Sequence, residues 1–155
     1  MPRMSDDDTP AAIFARAADR ARQMSLPYAG AVTPGEAHRL AQAGAARIVD
    51  VRTPPEWEHV GHVEGAPLIE WPRSGEAGAV AAFVSQVEKD HTPDEALLFL
   101  CRSGARSHAA AQVLARSGYA RAYNILEGFE GAPGTQSGWR AAGLPWKTGD
   151  GPQTP

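Results

Sequence analysis

A chain of 155 residues, 43% hydrophobic and 21% charged with a net charge of −3, is sized for one soluble domain. Mild acidity without a basic stripe argues against a nucleic-acid surface, and one cysteine leaves no internal disulfide and no four-thiolate metal site. No apolar run approaches a membrane span, and Met1 to Asp8 lacks the apolar core of a secretory signal, so a reducing cytoplasm is the expected compartment.

Thr9 to Met24 reads as a helix, with Thr9 as N-cap, Pro10 in the first turn, and Ile13 and Phe14 on a thin apolar face. Such a face serves either packing on the domain or an oligomer contact. Residues 1–27 are thus an N-terminal helical extension to a domain expected over residues 28–147. Ala29 to Val32 reads as a first strand. Thr33 and Glu36 fit a capping box for a helix that stops at Gly44. Arg47 to Arg52 is a second buried strand ending in opposite charges, and a third is expected near Pro67 to Ile69. A helix from Glu76 to Asp90 carries Val80, Phe83, Val84 and Val87 as a core-facing stripe. Trp71, just past a strand end, either edges a pocket or packs in the core. Leu97 to Leu100 is the strand before Cys101, His108 to Ala115 a helix, and Ala122 to Leu126 a fifth strand. Thr148 to Pro155 is expected as a disordered tail.

The centre of this pattern is Cys101-Arg102-Ser103-Gly104-Ala105-Arg106-Ser107. An apolar strand ends at the lone cysteine, and a polar loop leads into a helix. Helix N-terminal N–H groups lack internal partners and carry partial positive charge, to which Arg102 and Arg106 add two full charges. A thiol in that field ionises more easily, and the thiolate is the nucleophile. Gly104 lets the loop curl so that successive N–H groups face inward. The bland reading, a small buried core cysteine, fits such a loop poorly. His59 and His62 are three apart but have no accompanying ligand cluster, so no metal is expected, and His108 is given no catalytic role.

The loop resembles the active-site loop of the rhodanese family of sulfurtransferases. Asp50-x-Arg52, Glu56-Trp57 and Gly61-His62-Val63-x-Gly65-Ala66 resemble that family's second signature, and Gly138 to Trp146 its closing segment. The resemblance implies a three-layer α/β/α domain with a five-stranded, mainly parallel sheet. It also implies a persulfide on Cys101 as the covalent intermediate, with no cofactor. Thiosulfate or a similar anion would be the donor, and an external thiol, a protein or cyanide the acceptor. Arg102, Ser103, Gly104, Ala105, Arg106 and Ser107 would bind the substrate. Asp50 and Arg52 would support them, with Asp50 holding a loop arginine, Arg106 foremost. His62 would serve as a backbone-bonding turn residue. The state would be monomer or homodimer, without nucleic acid or membrane partners.

Loop length separates this reading from its neighbour. Related phosphatases place the arginine six positions after the cysteine, where this chain has Ser107; Arg106 comes at five. A phosphatase or arsenate reductase on the same fold is therefore the alternative, and a non-catalytic persulfide-relay or regulatory module a third. One departure stands out: Phe129 replaces the second of the family's paired glycines, and Trp139 comes later, implying a longer loop beside the pocket.

Overall fold

The computed structural model describes residues 9–74 and 76–148. The expected tail beyond Thr148 lies outside the described residues. Four strands, β1 (Gly30–Val32), β2 (Arg47–Asp50), β3 (Leu97–Leu100) and β4 (Ala122–Ile125), form a parallel sheet in the order β1-β4-β3-β2. Four helices flank it: α1 (Pro10–Met24), α2 (Pro34–Gln42), α3 (Ala77–Asp90) and α4 (Ala105–Arg116).

Both sheet faces are covered, so the strands read as continuous apolar runs rather than alternating ones. Along β3, Leu98 and Leu100 join Ile13, Ala17, Ala37 and Leu40 of α1 and α2 in one core layer. Leu97, Phe99 and the following Cys101 join Phe83, Val87, Ala110, Ala111 and Leu114 of α3 and α4 in the other. The pleat thus sends the thiol toward α4.

The third expected strand, near Pro67 to Ile69, is reduced to a remnant, which leaves four strands where five are expected. Ile69 N–H donates to Asp50 O (2.8 Å) and Trp71 N–H to Val51 O (2.9 Å), yet only Leu68 forms a bridge with β2. Pro67 and Pro72 lack the donors that a longer ladder needs. Trp71 packs edge-on against Phe83 with ring centroids 5.0 Å apart, which places it in the core layer.

The N-terminal helix packs on the domain. Thr9 caps it, as its sequence indicates, accepting from Ala12 N–H at 3.2 Å. Glu36 ties it to α2, accepting from Arg16 Nε (3.0 Å) and Arg20 Nη1 (2.7 Å) while completing the capping box with Thr33. The helix lies so close to β1 that a Cβ on Gly30 would sit 2.4 Å from the Ala17 carbonyl oxygen.

Gly30→Ala is therefore expected to destabilise by about 2 kcal/mol through overpacking. Gly35→Ala, in α2 with open space around it, is expected to be neutral or to stabilise by about 0.5 kcal/mol. Urea denaturation of the two variants checks the contrast.

Candidate active site

The carboxyl ends of β2, β3 and β4 converge, the usual place for a site in an open α/β sheet. Cys101 follows β3 directly. Only Arg102, Ser103 and Gly104 separate it from α4, because Gly104 takes a left-handed conformation (φ 111°) and serves as the N-cap. Helix α4 starts three residues earlier than His108, where the sequence places it. Ala105 and Arg106 are good helix formers, and once Gly104 has turned the chain nothing delays the first turn. Arg106 and Ser107 thus belong to the helix, not to the loop.

Cys101 is 1% exposed. Its sulfur accepts from Gly104 N–H at 3.0 Å and lies 3.2 Å from Ser107 Oγ. Among the described residues, that is the one amide hydrogen-bonded to the sulfur, where the sequence points to several. The outer side of the loop is strapped down by the segment after β4: Phe129 N–H donates to Cys101 O (2.8 Å) and Glu130 N–H to Arg102 O (2.9 Å).

The two arginines behave differently. Arg102 is 60% exposed and faces Glu130 at 3.4 Å. Arg106 makes a two-pronged pair with Glu56, Nη1 to Oε1 at 2.8 Å and Nη2 to Oε2 at 2.9 Å. Asp50 therefore does not hold Arg106. It binds Arg52 instead, with Nη2 to Oδ2 at 2.7 Å and Nε to Oδ1 at 3.0 Å, and both side chains are fully buried. Geometry explains the exchange. Strand β2 ends at Asp50 and the chain bends at Arg52, whose N–H donates to Asp50 Oδ1 at 3.0 Å, so the two side chains meet locally, and Arg52 also reaches Gly61 O at 2.6 Å.

Glu56 reads from the sequence only as part of the family signature, although Thr53-x-x-Glu56 also has the capping-box form. It opens a short π-helical turn (Glu56–Val60) and accepts from Thr53 N–H at 3.0 Å. Hydrogen bonding to Arg106 holds its carboxyl down at about 2, against the cost of burial. Arg106 is raised in turn, first by Glu56, with burial opposing and the Cys101 and Asp50 charges adding to it.

Phe129, the departure from the family pattern, is buried under the Arg52 guanidinium at 4.4 Å. Its ring face meets an ion pair whose Arg52 Nη1 has no hydrogen-bond partner among the described residues. His62 stacks on Trp57 (3.5 Å between centroids), its Nδ1 2.8 Å from Trp57 O. His108 Nδ1 meets Tyr28 Oη at 2.7 Å. No group of three or more His, Cys, Asp and Glu among the described residues is arranged to hold a metal.

Comparison with known proteins identifies the family. The sequence profile described as Rhodanese-like domain matches residues 33–132. An uncharacterized protein of Rickettsia prowazekii is 36% identical over 107 residues, covering 64% of this chain and 81% of its own. A protein of Arabidopsis thaliana named thiosulfate sulfurtransferase 16, chloroplastic, is 32% identical over 129 residues, covering 82% of this chain and 98% of its own. A crystal structure from M. tuberculosis superposes with a TM-score of 0.67 at 36% identity, covering 79% of this chain and 99% of that one.

Two outcomes are expected. Glu56 contributes stability above its unfolded-state pKa of about 4.3, and that contribution fades as pH falls toward 2, where the carboxylate takes up a proton. Denaturant midpoints followed from pH 6 to pH 2 should therefore fall more steeply in wild type than in Glu56→Gln, whose cost at neutral pH is about 1 kcal/mol after solvent screening. Asp50→Ala strands a buried guanidinium and should cost about 3–5 kcal/mol in fold stability, well beyond local loosening of the loop. Thermal melts of Asp50→Ala beside wild type measure it.

Proposed function

Starting from the fact that this chain belongs to the rhodanese-like domain family, we propose that it is a sulfurtransferase working through a persulfide on Cys101. The observation that carries the reading is the sulfur itself. It sits at the carboxyl end of β3, is met by Gly104 N–H at 3.0 Å, and lies inside a three-residue turn at the start of α4.

The chemistry is a pair of displacements at sulfur. The Cys101 thiolate attacks the outer sulfur of a donor such as thiosulfate. A cysteine S–S bond forms, the donor's own S–S bond breaks, and its electron pair leaves with sulfite. An acceptor thiolate, or cyanide, then attacks the terminal sulfur. The new bond forms on the acceptor, the Cys101 S–S bond breaks, and its electrons return to the cysteine. No cofactor is needed, because each step exchanges one S–S or S–C bond for another. The chain has a single cysteine, so the acceptor comes from outside.

Charge placement supports small anionic donors. Exposed Arg102, weakly paired with Glu130, is the cation available to an incoming anion. Arg106 keeps the first turn of α4 in place through Glu56 and contributes its field rather than a contact. The tight turn between Cys101 and α4 suits one sulfur atom better than a phosphate group.

Intact mass after incubation with thiosulfate tests this directly. Wild type should gain one sulfur atom and lose it on addition of a reducing thiol, while Cys101→Ser gains none. Transfer that proceeds equally well in both proteins would sink the proposal.

A further inference from the structure

Four groups behind the sulfur close a ring. Gly104 N–H donates to Cys101 Sγ (3.0 Å), Asn124 Nδ2 donates to Gly104 O (3.3 Å), and Ser107 Oγ donates to Asn124 Oδ1 (2.5 Å) and lies 3.2 Å from Sγ. The hydrogen directions follow without choice. A carbonyl oxygen only accepts, so Asn124 turns its NH2 to Gly104 and its oxygen to Ser107. That oxygen also only accepts, so the single hydroxyl hydrogen of Ser107 points at Asn124. What remains for the sulfur is a lone pair of Ser107. A lone pair matches S–H, whereas a bare thiolate would face another filled orbital.

From this ring we infer that Asn124 is a positioning residue: by holding the Ser107 hydroxyl hydrogen, it makes Ser107 an acceptor for the Cys101 thiol. The inference rests on Cys101 being the nucleophile of the proposed reaction. When the thiol gives its proton to a solvent base, the Ser107 hydrogen swings from Asn124 to the sulfur. Asn124 Oδ1, in a side chain only 5% exposed, then loses its donor. The ring thus favours the discharged, protonated cysteine at the end of a turnover. The other charged or titratable groups around it are Arg106 with Glu56, Asp50 with Arg52, and Tyr28 with His108. Tyr28 also contacts Asn124, so Asn124→Leu removes that contact, and the Ser107→Ala background below separates its effect from that of the ring.

The test is the pH profile of iodoacetamide alkylation of Cys101. Asn124→Leu, close in volume but without an acceptor, releases the Ser107 hydrogen to the sulfur. Its alkylation midpoint is expected at a pH lower by about half to one pH unit, or about three- to tenfold faster reaction below the midpoint. That difference should vanish in the Ser107→Ala background. A merely structural loosening would raise the plateau rate and leave the midpoint in place. Ser107→Ala alone should leave the midpoint unchanged or lower it, and this decides the matter if Asn124→Leu does not fold. A midpoint that rises in either variant overturns the inference. So does an Asn124→Leu midpoint equal to that of wild type, or a shift that persists without Ser107. Alkylation needs no sulfur donor. A protein with these shifts that took no sulfur from thiosulfate would lose the proposed function and keep this ring.

Discussion

Gly104 is the residue on which the site depends. At φ 111° it turns the chain from β3 into α4 within three residues. Its N–H reaches the sulfur and its C=O accepts from Asn124, so one residue fixes both the front and the back of the thiol. A residue with a Cβ reaches this conformation only at a steric cost, and a longer loop would part the sulfur from the helix start. The short spacing between Cys101 and Arg106 is the covalent form of that constraint.

Two ion pairs share the remaining work, and burial separates them. Asp50 and Arg52 are fully buried and hydrogen-bonded to each other, with Arg52 also donating to Gly61 O and Phe129 against the guanidinium face. Such a pair is costly to break yet adds little net stability over an apolar filling. Its effect is to fix where the β2 end and the Gly61 turn meet. Glu56 and Arg106 are partly open to solvent, and their value is geometric as well. Planar two-pronged pairing orients the guanidinium, which an isolated point contact would leave free to swing.

Much of the architecture was legible in the chain. All-apolar Leu97 to Leu100, the capping box at Thr33 and Glu36, the Thr9 cap and the Gly104 turn are local signals, and the structure contains each of them. What was not legible depends on distance in sequence. Asp50 was matched to the wrong arginine because Arg52 and Arg106 are equally plausible partners until the direction of the Arg52 side chain is known. Glu56 stands in the family signature, but its pairing with Arg106 is not legible, because a capping-box glutamate has a local role that hides its contact 50 residues away. Asn124 had one faint signal, a lone amide in the otherwise apolar end of β4. The expected third strand is cut short for a simpler reason: Pro67 and Pro72 bracket it.

The segment that the family profile matches, residues 33–132, does not by itself close this site. Tyr28, ahead of that segment, sends its hydroxyl to His108 on α4 and packs in the same core layer as Cys101. Trp139, behind it, is fully buried, donates its backbone N–H to Gly128 O at 2.8 Å, and so anchors the strap over the loop. Helix α4 is thereby pinned from outside the matched segment at His108, and the strap at Gly128. Because the thiol is buried between these two elements, its surroundings depend on the flanks as much as on the loop that carries it.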